Sequence, residues 1–118
     1  MPGLERFPRR ERLTRTRDYQ TVYRVGRKVV GQDFICYVAG RDGQGRKFGL
    51  AVPRRVGNAV VRNRVKRYLR EIYRTRRRRL KDDIALVVVA RPTAGNLDFH
   101  QCATALEALF RRGGVFHE

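Results

Sequence analysis

Residues 57–79, GNAVVRNRVKRYLREIYRTRRRR, decide how the rest of the chain is read. Twelve of the 28 basic residues fall between Arg54 and Arg79, against one acid, Glu71. The spacing predicts a helix: Asn58 can cap its start, good helix formers follow, and no proline interrupts it before Pro92. Apolar side chains recur at Val61, Val65, Tyr68, Leu69 and Ile72, the i, i+4, i+7, i+8, i+11 spacing of one buried stripe. At roughly 100° per residue, Arg62, Asn63, Lys66, Arg67, Arg70 and Arg74 fall in the opposite arc. Arg62 and Arg64 flank the stripe, so the first joins the Lys66/Arg70 row and the second sits over Arg67 and Glu71. A merely solvated face mixes signs to gain i, i+4 pairs. This one holds like charges together, which costs stability unless a polyanion neutralises them.

Composition sets the frame. A chain of 118 residues with 42% hydrophobic content has room for one domain around one core. A net charge of +17, mostly arginine, and a pI near 11.5 call for a polyanionic partner. Arginine's bidentate phosphate contacts and its stacking on bases favour nucleic acid over acidic protein or membrane. No apolar run approaches membrane-spanning length, and MPGLERFPRRERL lacks the apolar core of a signal peptide, so a cytoplasmic protein is expected. Cys36 and Cys102 stand alone, without CxxC or histidine spacing, which reads as buried thiols rather than a zinc site. His100 and His117 are isolated too. No nucleophile has a base beside it and no carboxylate cluster suits metal-assisted hydrolysis, so the chain by itself does not read as an enzyme.

Residues 1–13, rich in proline and arginine, are expected to be a flexible basic lead, with 14–118 forming a single RNA-binding domain. A short helix is expected over 16–24, capped by Thr16 and stopped by Gly26, with Tyr19, Val22 and Tyr23 on one face. Those tyrosines suit either the core or an exposed platform. Strands are expected over 28–30 and 33–39; in the second, Phe34, Cys36 and Val38 face one way and Ile35, Tyr37 and Ala39 the other. The glycine-rich stretch 40–47 lacks the P-loop pattern and reads as a hairpin loop, making the strands over 33–39 and 48–53 antiparallel neighbours. IALVVVA, 84–90, reads as a strand covered on both faces, inside the sheet. A last helix over 98–112 carries Phe99, Cys102, Leu106, Leu109 and Phe110 at helical spacing and ends at Gly113-Gly114. The order αβββαβα gives an α+β sandwich with one sheet.

The stretch FGLAVPRRVGNAVVRNRVKRYLREIYR, 48–74, resembles the protein subunit of bacterial ribonuclease P, with Arg62-Asn63-Arg64, then Lys66-Arg67, behind the Gly57-Asn58-Ala59 lead-in. The resemblance spans roughly 12–110. It implies a mixed sheet with a left-handed β-α-β crossover through the basic helix, against the usual hand. It also implies that the basic helix and the loop before it, with Arg54, Arg55, Asn58, Arg62, Asn63, Arg64, Lys66, Arg67 and Arg70, bind the catalytic RNA. A cleft between the first helix and the sheet would take the 5′ leader of precursor tRNA, which carries over here to Tyr19, Tyr23, Tyr37 and Phe34. Strand alternation, however, turns Phe34 to the other face. Magnesium-dependent phosphodiester hydrolysis would belong to the RNA, with no cofactor bound by the protein alone, no small-molecule substrate and no membrane partner. The alternative reading is a ribosomal or general RNA-binding protein without a processing role. A DNA-binding role fits poorly, since the basic helix has no helix-turn-helix partner.

Overall fold

Seven consecutive apolar residues need cover on both faces, and the sheet is arranged to supply it. The computed structural model describes residues 7–117. Its four strands are β1 (Arg27–Val30), β2 (Phe34–Gly40), β3 (Lys47–Ala51) and β4 (Ile84–Ala90), in the order β1-β2-β4-β3. β4 is central, antiparallel to β2 with Cys36 opposite Val88, and parallel to β3 with Leu50 opposite Val88. All but one of its residues are buried.

This arrangement corrects one expectation. β2 and β3 do run antiparallel, but β4 lies between them, so the loop over residues 41–46 spans a strand instead of closing a hairpin. The physical reason is burial: β4 is buried at all but one position, whereas β2 and β3 each leave more than half of their residues partly or fully exposed, as flanking strands can. The return through a long helical crossover costs little, because closure entropy rises only logarithmically with length. The true hairpin joins β1 and β2, with Val29 opposite Cys36.

Three α-helices cover the sheet. α2 (Ala59–Arg76) and α3 (Phe99–Gly113) pack on the face carrying Phe34, Cys36, Leu86 and Val88, around Val65, Leu69, Ile72, Leu106 and Phe110. α1 (Thr16–Val25) covers part of the other face, where Val22 meets Ala39, Ala85 and Val87. Thr16 is the first helical residue of α1, not its cap; Arg15 holds that place without a side-chain bond. Gly26 closes the helix by donating to the Val22 carbonyl oxygen at 2.8 Å, where a Cβ would sit 2.5 Å from that oxygen. α3 opens with a reciprocal capping box between Asp98 and Gln101 and ends at Gly114 in the left-handed conformation. Phe99, expected in the α3 stripe, is 37% exposed, whereas Cys102, Leu106, Leu109 and Phe110 are buried.

Of the expected flexible lead, residues 7–13 pack against the fold, and residues 1–6 lie outside the described residues. Phe7 packs against Phe48 and Tyr73, with ring centroids 5.6 and 4.9 Å apart. Glu11 is buried and accepts from the Tyr73 hydroxyl at 2.6 Å and from Arg77 Nε at 3.0 Å. The chain is therefore pinned to the end of α2 before α1 begins. No described helix is long and apolar enough to cross a membrane.

Candidate nucleic-acid interface

The start of α2 is built by two successive residues, Gly57 and Asn58. Asn58 caps it, its side-chain oxygen accepting from Val61 N at 3.0 Å. Gly57 is required by close approach, since a Cβ there would lie 2.8 Å from the Val61 side chain. Just before them a turn of 3-10 helix, Arg54–Val56, leaves Arg54 and Arg55 exposed. The buried stripe of α2 is Val65, Leu69 and Ile72, joined by Tyr73; Val61 and Tyr68 are half-buried at its flanks.

Ion pairing divides the basic run in two. Among the described residues, Arg54, Arg55, Arg62, Arg64, Lys66, Arg67 and Arg70 have no carboxylate within ion-pair distance. Towards the C-terminal end the pattern reverses. Arg74 Nε donates to Glu71 at 3.0 Å, Arg76 Nε to Glu107 at 2.8 Å and Arg79 Nη2 to Glu107 at 2.8 Å, while Arg77 pairs with Glu11. The arginines at 76, 77 and 79 thus tie the end of this run to α3 and to the N-terminal segment, Arg74 pairs within its own helix, and the uncompensated field is concentrated over 54–70.

Within that field the cations differ. Arg62 Nε donates to the Gly57 carbonyl oxygen at 3.1 Å, fixing the lead-in that presents Arg54 and Arg55. Arg64 Nη2 donates to the Gly95 carbonyl oxygen at 2.8 Å, and its buried Nε has no hydrogen-bond partner among the described residues. Asn63 and Arg67 are exposed, with the Arg67 guanidinium 5.9 Å from the centre of the Tyr68 ring. Lys66 and Arg70 line a hollow shared with Arg12, Thr14, Tyr19 and Leu50.

Tyr19 links this hollow to the aromatic face. Its ring lies on Gly49, where a Cβ would be 2.7 Å from the ring, and its hydroxyl bonds the backbone of Leu50. Tyr23 is 37% exposed and meets Tyr37 edge-on, with centroids 4.9 Å apart; Tyr19 is 6.4 Å from Tyr23. Burial and the neighbouring phenols push the Tyr23 hydroxyl's pKa up, so it stays protonated. The platform and core readings therefore divide by residue: Tyr19 is half-built into the fold, Tyr23 is open, and Tyr37 is half-buried against it. Phe34 is corrected out of this surface. It is fully buried under α2 and α3, because the pleat places it on the face opposite Tyr37.

Sequence spacing missed the residues that join these parts. Lys28 pairs with Tyr37 across β1 and β2 and sets its ammonium 6.0 Å from that ring. Beyond Tyr23 and Tyr37, Ile35 and Val89 floor a second hollow, rimmed by Pro53, Arg55, Arg91 and Pro92. Arg55 thus belongs to the α2 lead-in and to the edge of the aromatic face. Strand register brings Ile35 and Val89 together, and no local pattern encodes it.

The described residues hold no group of three His, Cys, Asp or Glu that could bind a metal ion. Burial pushes the thiol of Cys36 up to about 12 despite the charge of Arg27, and that of Cys102 up to about 11, helped by Asp33 and Asp98. Both are neutral core groups. What the surface offers is phosphate donors, exposed rings and an apolar floor.

Known proteins are similar to this chain in sequence and in fold. The family model described as Ribonuclease P matches residues 7–114. A ribonuclease P protein component from Dictyoglomus turgidum is 36% identical over 116 residues, covering 96% of this chain and 97% of the relative. One from Bacillus pumilus is 32% identical over 111 residues, covering 93% of each. The structure of the Staphylococcus aureus RNase P protein superposes with a TM-score of 0.85 at 27% identity, covering 91% of this chain and 98% of that one. For the Thermotoga maritima RNase P protein the TM-score is 0.77 at 27% identity, covering 86% and 96%.

Proposed function

The chain belongs to the bacterial ribonuclease P protein family, and from that premise we propose that it docks on the catalytic RNA through α2 and holds the 5′ leader of precursor tRNA on its aromatic face. The family carries a role in ribonuclease P, the complex that cleaves tRNA precursors. The observation that supports the finer reading is continuity. Seven cations without carboxylate partners run from the 3-10 turn along α2, and two of them, Lys66 and Arg70, share a hollow with Tyr19. A structured RNA with a single-stranded extension needs both surfaces. Phosphates of the folded part meet guanidinium and ammonium groups, while unpaired leader bases lie on rings beside a basic edge.

In this reading the hydrolytic centre and its magnesium lie in the RNA, and no catalytic step is routed through this chain. Its part is to bind, orient and neutralise, as a cytoplasmic ribonucleoprotein subunit. The test is reconstitution: purified protein is added to ribonuclease P RNA at low magnesium and cleavage of precursor tRNA is followed. Stimulated cleavage at the mature 5′ end is expected, with none from protein alone. Binding to RNA without stimulation would favour a general RNA-binding role. Cleavage by RNA-free protein that disappears in a point variant would overturn the placement of the chemistry.

A further inference from the structure

One aromatic pair, an exposed ring against a half-buried one, lies outside both surfaces described so far. Phe99, the first residue of α3, stays 37% exposed although the rest of its stripe is buried. It meets Tyr68 of α2 edge-on, with centroids 5.5 Å apart and ring planes at 79°. The exposed Arg67, which has no carboxylate partner, sets its guanidinium 5.9 Å from the Tyr68 ring. Arg64, on the same flank of α2, is fixed by its bond to Gly95. The rings therefore sit on the seam between α2 and α3, at the edge of the uncompensated basic field and away from the tyrosines of α1.

We propose that Phe99 and Tyr68, with Arg67 beside them, form a stacking site for one unpaired base of the ribonuclease P RNA. The proposal rests on the family reading above and extends it to a further contact on the same RNA. Folded RNA is read largely through bases unstacked in loops and bulges, which lie against aromatic or guanidinium planes. A ring beside an uncompensated arginine supplies a π-face for the base and a donor for its phosphate. A protein partner would need a wider apolar patch than two rings edged by cations. The charge complementarity thus selects RNA, and the position on α2 selects the catalytic RNA over the leader.

The chain contains no tryptophan, so Phe99→Trp adds a single tryptophan at the site, whose emission is separable from that of the tyrosines by selective excitation. Phe99→Leu keeps an apolar cover over the seam but removes the π-face. Affinity of Phe99→Leu for the RNA is expected to fall at least about five-fold, with the salt slope and melting temperature unchanged. Phe99→Trp should bind like the parent chain and lose emission as the RNA saturates it. Unchanged binding by Phe99→Leu, or constant emission from bound Phe99→Trp, would overturn the site while leaving the family reading intact. A loss of affinity that only tracks a lower melting temperature would also overturn it, making the ring a cover for the seam. If the parent chain itself failed to bind the RNA, the premise would fall and this site with it.

Discussion

The hydroxyl of Tyr19 donates to the Leu50 carbonyl oxygen at 3.3 Å and accepts from the Leu50 amide at 3.1 Å, tying α1 to the outer strand β3. One side chain thus serves the fold with its oxygen and faces the hollow of Lys66 and Arg70 with its ring. Tyr19→Phe should lower stability by about 0.5–1.5 kcal/mol, the net worth of a hydrogen bond, while leaving the ring in place. Thermal melting beside precursor tRNA binding checks this, and a large loss of binding with no loss of stability would contradict it.

Tyr23 makes the opposite case, because it is exposed and its ring meets those of Tyr19 and Tyr37. Tyr23→Ala should leave the melting temperature nearly unchanged. Precursor tRNA affinity should fall by roughly 1–3 kcal/mol for each base that no longer stacks, while mature tRNA, which has no leader, binds as before. Measuring both tRNAs on the reconstituted complex decides it. Equal losses for the two would place the ring in the scaffold.

The division of the basic run predicts two kinds of arginine variant. Replacing Arg54, Arg55 and Arg70 together by alanine should flatten the salt dependence of RNA binding by roughly one unit or less per phosphate released, without lowering stability. Arg76→Ala should do the reverse, weakening the tie to Glu107 with little change in slope. Salt titrations of binding and thermal melts of the same variants check both halves.

Arg64 separates from Arg67 although they are close in sequence. Arg64→Ala leaves the Gly95 carbonyl oxygen without its donor and should cost about 1–3 kcal/mol of stability. Arg67→Ala should cost none and show its effect in RNA affinity alone. Melting curves that shift equally for the two variants would refute the distinction.

Glu11 makes stability depend on acid. Burial pushes its carboxyl's pKa up, but hydrogen bonds from Arg77 and Tyr73 and the charges of Arg77 and Arg46 outweigh that and hold it below the ordinary 4.5. The folded chain therefore binds this proton less tightly than the unfolded one, so the contribution is complete above pH about 5 and is lost as pH falls through 4.5 and below. Glu11→Gln should be less stable at neutral pH, by on the order of 3 kcal/mol for a broken buried pair, and should lose less than the parent between about pH 5 and 3. Urea denaturation across that range measures it.

Local chemistry was legible where neighbours in sequence are neighbours in space. Asn58 as a cap, the Val65, Leu69 and Ile72 stripe, the central place of β4 and the stop after Gly113 all follow from period and propensity, which act over a turn or a strand. The same periodicity placed the two faces of β2 correctly and so gave the reason for excluding Phe34 from the aromatic surface. It failed at Phe99, because a position at the first turn of a helix lies at the edge of whatever the helix packs on.

The order of residues was enough to set the elements, the sign of the field and the motif that carries the family. Which elements touch was left to three-dimensional packing. That packing set β4 between β2 and β3, since pairing goes to the strand that gains most by burial and not to the nearest in sequence. It placed Glu11 and Glu107 against the arginines at 76, 77 and 79, leaving the cations over 54–70 uncompensated. It also brought Tyr19 of α1 to the same hollow as Lys66 and Arg70 of α2. Such meetings depend on strand register and helix packing across dozens of residues, where no local spacing records which side chains converge.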